Sequence, residues 1–140
     1  RTVQTGIRGT LGDPHAWQFS YDSGMRVVTM DEFEATPLTE LANEIKEIVG
    51  DAKTYVTFDI DALDPAFAPG TGTPEAGGLT TRQAQTLLRA IDKLDLDVVG
   101  ADLVEVAPPL CSSNITALAA ANLLHELLRI MARAVSKRKM

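Results

Sequence analysis

Asp59, Asp61 and Asp64 crowd the run Thr57-Phe-Asp-Ile-Asp-Ala-Leu-Asp-Pro65, at the end of a short apolar segment that reads as a β-strand. In extended backbone, residues two apart project to the same side. Asp59 and Asp61 are therefore expected to point together, with Ile60 turned into the packing. Two carboxylates held that close repel unless a proton or a cation sits between them. Carboxylate oxygens favour hard divalent cations such as magnesium, calcium or manganese. The same acids also suit the capping of a loop or turn, so the pair reads either as a cation site or as a cap. Asp64, just before Pro65, fits a hydrogen bond to the turn better than a metal.

The next stretch, through Leu79, holds Pro65, Pro69 and Pro74 with Gly70, Gly72, Gly77 and Gly78. It is too long and too specialised for an ordinary connection of a few residues. Phe67 and Leu79 give it apolar anchors, so an ordered, ligand-bearing loop is expected rather than a linker. Further on, Gly100-Ala-Asp-Leu-Val-Glu-Val-Ala-Pro108 brings Asp102 and Glu105 towards the same edge. An acid between Val104 and Val106 is expensive to bury alone. A cationic partner is expected for Glu105, either a ligand guanidinium or an arginine of the protein.

Three other reactive side chains carry less. His15, in a polar loop before Trp17, reads as an exposed histidine at the edge of a substrate entrance at most. His125, within Asn122-Leu-Leu-His-Glu-Leu-Leu128, reads as a hydrogen-bonded core or interface residue. Cys111 reads as a small residue near a helix start, with no base in view to make it a nucleophile.

These residues need a scaffold, and the chain alternates apolar runs with helical patterns. Thr2–Ile7 is the first strand, and a polar stretch from Gly9 to Gly24 follows with room for a short helix. Arg26–Met30 is the second strand. Thr36 is the expected N-cap of a helix with Pro37 at its first position, the stripe Leu38, Leu41, Ile45, Ile48, and Gly50 as its stop. Tyr55–Ile60 is the third strand, apolar enough to be covered on both faces. Thr80 with Gln83 forms a capping box ahead of the stripe Leu87, Leu88, Ile91, Leu94. Leu96–Val106 is the last strand region. Ser113 or Asn114 caps a long final helix to about Val135, apolar nearly all round and expected to pack deep. Strands alternating with helices imply an α/β fold with a mostly parallel sheet and right-handed crossovers. Ligands of such sheets lie beyond the carboxyl ends of the strands, which directs attention to the loops leaving Phe58 and Val104.

The 140 residues suffice for one domain, and the hydrophobic share of 45% with only 5% aromatic implies a core of Leu, Val, Ile and Ala. A net charge of −6 excludes a nucleic-acid surface built on basic residues. A single cysteine excludes an internal disulfide and suits a reducing, cytoplasmic setting. No apolar run is expected to reach the length of a membrane span. The chain opens at Arg1, directly into a strand, as expected of a piece of something longer.

The three runs quoted above, in order, resemble the C-terminal signatures of the ureohydrolases, the arginase and agmatinase family, and in particular its agmatinase and guanidinobutyrase branch. The opening Gln4-Thr-Gly-Ile-Arg-Gly9 and the closing Asn114-Ile-Thr-Ala-Leu-Ala-Ala-Ala-Asn122 are similar to its flanking pieces. The resemblance implies a three-layer αβα sandwich, of which residues 1–140 would be the C-terminal part of one domain. It implies hydrolysis of a guanidino compound to urea and an amine, with agmatine the first choice and a guanidinobutyrate-like substrate the second. It implies two manganese ions, nickel being the exception, with Asp59 touching both and Asp61 one. Glu105 would orient the guanidinium, and Thr73 would line the substrate side of the loop. Two upstream histidine motifs of the family, Gly-Gly-Asp-His and Asp-Ala-His-x-Asp, do not occur here. This half therefore carries no confident catalytic residue, and the isolated chain is expected to be inactive. The far end of the substrate would be read by loops such as Leu11–Tyr21 and by the other half. The family also implies a homo-oligomer, a trimer or hexamer, with no nucleic acid and no membrane. The competing reading is a non-catalytic half-domain used for oligomerisation or binding.

Overall fold

A computed structural model describes residues 1–10 and 12–139, so Leu11 of the expected substrate-end loop lies outside the described residues. The architecture is α/β with parallel strands, as the alternation predicts. In chain order the elements are β1 (Val3–Ile7), α1 (Gln18–Asp22), β2 (Arg26–Thr29), α2 (Met30–Ala35), α3 (Leu38–Val49) and β3 (Lys53–Asp59). A 3-10 turn at Ile60–Ala62 and a long loop lead to α4 (Thr81–Asp92) and β4 (Asp97–Val104). A second 3-10 turn, Pro108–Leu110, precedes α5 (Ile115–Arg138).

Among the described residues the strands form two parallel pairs, β1 with β2 and β3 with β4, rather than one continuous sheet. In β3 the inward residues are Val56 and Phe58, while Lys53, Tyr55 and Thr57 stand outward and exposed. The strand is thus covered on one face here, against the expectation of two. The covering helices are α4 and α5, which pack together, with α5 lying on β4.

Local chemistry explains most element boundaries. Thr80 and Gln83 form the expected capping box, the Gln83 N–H donating to Thr80 Oγ1 at 3.1 Å and the Thr80 N–H to Gln83 Oε1 at 2.8 Å. Gly50 stops α3 as expected: its N–H donates to the Lys46 carbonyl at 2.7 Å, with φ at 64°. Helix α2 is an element the sequence reading passed over. Thr29 caps it by accepting from the Glu32 N–H at 3.3 Å, and Asp31 and Glu32 favour its amino end. Thr36 consequently closes α2 instead of opening α3, which starts after an extended Pro37 without a side-chain cap. Arg26 joins these pieces through ion pairs to Glu32 and, at 2.5 Å, to Glu44.

Helix α5 departs most from expectation. Its inner face, with Leu123, Leu127 and Ile130, is buried, but Leu118 and Leu128 are each 63% exposed. His125 lies on the exposed side, so it is not a core residue. By length and mean hydropathy, 24 residues and 1.3, α5 is long and apolar enough to cross a membrane, contrary to the expectation that no run reaches that length. In this fold its inner face packs on β4 and α4. Two buried acids fasten it there: Asp92 of α4 meets Arg129 and Arg133, and Glu126 of α5 meets Arg89 and Arg129. Leu123→Ala should therefore cost about 2–5 kcal/mol in urea denaturation, the range for a cavity under a fully buried leucine. Leu128→Ala should change stability by less than about 0.5 kcal/mol. Equal costs would contradict this orientation of the helix.

Candidate metal and substrate site

β3 ends at Asp59 and passes at once into the turn Ile60–Ala62. The alternation rule of strands stops there, so extended geometry is not what unites Asp59 and Asp61. Instead, the Asp59 carboxylate caps the turn, its Oδ1 accepting from the Asp61 N–H at 3.0 Å. Ile60 is fully buried, and the Asp59 carboxyl feels the Asp61 carboxylate two residues on. Asp59 thus caps the turn, with the Asp61 charge close enough to act on its carboxyl.

Burial pushes the Asp59 carboxyl above its ordinary range. The Asp61 N–H opposes that shift, and the negative charges of Asp61 and Glu105 add to it. The Asp59 carboxyl therefore feels both other acids at this edge. The register explains how: Asp59 pairs with Val104, the last residue of β4, and Glu105 is the next residue along. Glu105 adopts the left-handed backbone, φ 63°, which costs a non-glycine residue on the order of 1 kcal/mol or more. It is exposed, so the burial cost inferred from its valine neighbours does not arise. Among the described residues it makes no ion pair with an arginine or lysine.

Thr73 reaches the same cluster, its Oγ1 donating to Asp61 Oδ2 at 3.0 Å. That bond uses one lone pair of the carboxylate and fixes its orientation. Asp64 works in the turn, as its position before Pro65 suggested. Its oxygens accept from the Ala66 N–H at 2.9 Å and the Gly77 N–H at 2.8 Å, and these bonds hold its carboxyl below the usual range. The loop is ordered through its anchors. Leu79 is buried and exchanges backbone hydrogen bonds with Asp64 and Ala62, each 2.9 Å. Gly70 donates to Thr116 Oγ1 of α5 at 2.9 Å and lies so close to Cys111 that a Cβ there would approach within 2.8 Å.

Other candidates are not brought to the cluster. Asp102 accepts from the Tyr55 hydroxyl at 3.1 Å, beneath a ring that rests on Gly100. His15 is exposed. Cys111 is half-buried, and its thiol is lowered to about 7, chiefly by a hydrogen bond with Ser113. A residue missed in the sequence is Arg8, whose guanidinium joins the β1 end to both site segments. Its signals are its place at the tip of a strand and within the run Gln4-Thr-Gly-Ile-Arg-Gly9, neither of which names a role.

The donors suit a hard divalent ion, because two mutually repelling carboxylates, one of them half desolvated, gain from a cation between them. They do not complete its shell. Among the described residues no three His, Cys, Asp or Glu side chains form a group able to hold a metal.

The family profile described as "Arginase family" matches residues 1–129. The chain belongs to the arginase family. This arginase-family chain is 48% identical over 137 residues to a guanidinopropionase of Pseudomonas aeruginosa, a match covering 98% of this chain and 42% of that one. It is 49% identical over 132 residues to an agmatinase of Cronobacter sakazakii, covering 94% and 40%. Among solved structures it resembles the proclavaminate amidino hydrolase of Streptomyces clavuligerus, with a TM-score of 0.86 and 45% identity over 94% of this chain and 43% of that one. The fold is that of the family's α/β sandwich, and the chain spans about two fifths of the length of the relatives it matches.

Because Asp59 binds its proton more tightly folded than unfolded, the metal-free chain should lose stability as pH rises from near 3.8 through the raised folded value. Asp59→Asn keeps a capping oxygen and removes the charge. At neutral pH the metal-free variant should melt no lower than the wild type, and millimolar manganese should raise the melting temperature of the wild type only. A lower melting temperature for the variant, or equal gains from manganese, would contradict the assignment.

Proposed function

We propose that this chain forms one face of a guanidino-compound hydrolase site within a longer polypeptide that supplies the remaining metal ligands. The convergence of Asp59, Asp61 and Glu105 at one sheet edge, with Glu105 free of any ion pair among the described residues, carries the reading. Matched relatives named guanidinopropionase, agmatinase and guanidinobutyrase support the substrate class. Agmatine is the first choice and a guanidinobutyrate-like acid the second.

Each residue then has a task. Asp59 and Asp61 would be this chain's ligands for manganese, or for nickel as the exception. When bound, such ions supply Lewis-acid polarisation and a water ionised near neutral pH. Thr73 keeps Asp61 in the ligating rotamer and faces the substrate side of the loop. Glu105 receives the guanidinium through two parallel N–H donors, a planar fork matched to a carboxylate. A cationic substrate on Glu105 would also offset the negative charge that adds to the burial shift of Asp59. Cytoplasmic residence and a trimer or hexamer belong to this reading. The exposed apolar side of α5 also favours the rival view of a non-catalytic association module.

In the complete protein, Glu105→Gln should lower kcat/KM for agmatine by about 100-fold, the scale of losing a charge-assisted bidentate partner, while metal content stays unchanged. The isolated 140-residue chain should bind manganese weakly and release no urea from agmatine. Urea release from that isolated chain, or full activity in an Asp59→Ala form of the complete protein, would overturn the proposal.

A further inference from the structure

Arg8 sits half-buried one residue beyond β1, and its guanidinium donates only to backbone carbonyls. Nη2 reaches the Asp61 carbonyl at 2.6 Å and the Leu63 carbonyl at 3.3 Å. Nη2 and Nε reach the Glu75 carbonyl at 2.5 and 3.1 Å, and Nε also reaches that of Ala76 at 3.2 Å. Nη1 closes back on Gly6 at 3.3 Å. Among the described residues Arg8 makes no ion pair. Its hydrogen bonds therefore go to three backbone segments, two of them 53 to 68 residues away and the third at Gly6, and its charge also helps to lower the Asp64 carboxyl.

Two of those segments carry the candidate site. Asp61 is a candidate metal ligand, and Glu75 lies two residues past Thr73, whose hydroxyl orients Asp61. The Thr73–Asp61 bond spans the turn and the loop, so it survives only while their separation is fixed. The described contacts across that separation include Arg8 on the backbone side and Thr73 on the side-chain side. A Cβ at Gly78 would meet the Asp64 backbone N at 2.6 Å and both Arg8 Nη2 and the Leu63 carbonyl carbon at 2.7 Å, so the glycine admits the turn backbone and the guanidinium together. No other side chain can replace it, since only a guanidinium offers five donors in a rigid plane, whereas an ammonium has three at a point.

We propose that Arg8 is a positioning residue: its guanidinium locks the Asp61 turn against the Thr73 loop and thereby sets the affinity of the Asp59–Asp61 pair for a divalent ion. This rests on the metal reading above. Outer partners that orient metal ligands typically govern affinity by about 10- to 100-fold. Arg8 touches neither substrate nor metal, so recognition of the guanidino group should not depend on it.

The test uses the complete protein as wild type, Arg8→Lys, Arg8→Met and Asp61→Ala, with manganese followed by electron paramagnetic resonance titration. Arg8→Lys and Arg8→Met should weaken manganese binding by about 10- to 100-fold. Their kcat should fall at limiting manganese and recover at saturation, with KM for agmatine within about twofold, unlike a loss of substrate contact. In the metal-free state, amide exchange should quicken at Asp64, Gly77 and Leu79. A folded Arg8→Lys protein with wild-type manganese affinity overturns the proposal and leaves the function reading standing. If Arg8→Met does not fold, Arg8→Lys alone decides. A wild type whose manganese binding is indifferent to Asp61→Ala overturns the function reading and this proposal together.

Discussion

A partly buried carboxyl, Asp59, with the charges of Asp61 and Glu105 acting on it, is the constraint around which this end of the molecule is arranged. Two unit charges 4 Å apart near a protein surface repel by about 4 kcal/mol. Apart from the turn cap on Asp59 and the Thr73 bond to Asp61, folding gains nothing from setting Asp59, Asp61 and Glu105 at one edge. What holds them there is the packing beneath. Ile60, Leu63 and Leu79 are each almost fully buried, and each contributes about 1.5–3 kcal/mol relative to exposure. The turn is thus secured by its apolar residues, which hold the Asp59 carboxyl partly buried beside the charges of Asp61 and Glu105.

The same division of labour runs through the neighbouring segments. Parallel pairing of β3 with β4 fixes Asp59 opposite Val104, so the position of Glu105 follows from register. The left-handed backbone of Glu105 is a local cost borne at the site mouth, where such strain commonly accompanies function. Asp64 looks like a fourth acid of the cluster but serves the loop, its charge absorbed by backbone N–H groups. Thr73 and Arg8 then work from opposite sides of the loop, one on a carboxylate and the other on carbonyls.

Much of this was legible in the sequence, and the exceptions have physical reasons. The strands, the Thr80–Gln83 box and the Gly50 stop were readable because each depends on local chemistry. The Asp59–Asp61 pair was legible for a partly mistaken reason: the acids converge through a capped 3-10 turn, not through strand alternation. Helix α2 escaped because it is short and follows β2 without a loop, so its Thr29 cap reads as strand. The depth of α5 was overestimated because apolar content cannot distinguish a helix buried on all sides from one with an uncovered face. Likewise, the sequence pattern of β3 does not say how many helical layers cover it. Arg8 was invisible in its role because its partners are backbone carbonyls, which every residue possesses.

The proposed function requires a divalent ion held jointly by Asp59 and Asp61 at the tip of β3. Anomalous diffraction at the manganese absorption edge, on crystals of the complete protein grown with manganese, addresses that most directly. The prediction is a peak within bonding distance of both carboxylates, with Thr73 Oγ1 still on Asp61 and Glu105 facing the peak across the pocket. A peak that avoids Asp59 and Asp61, or no peak at this edge while the protein hydrolyses a guanidino substrate, would contradict it.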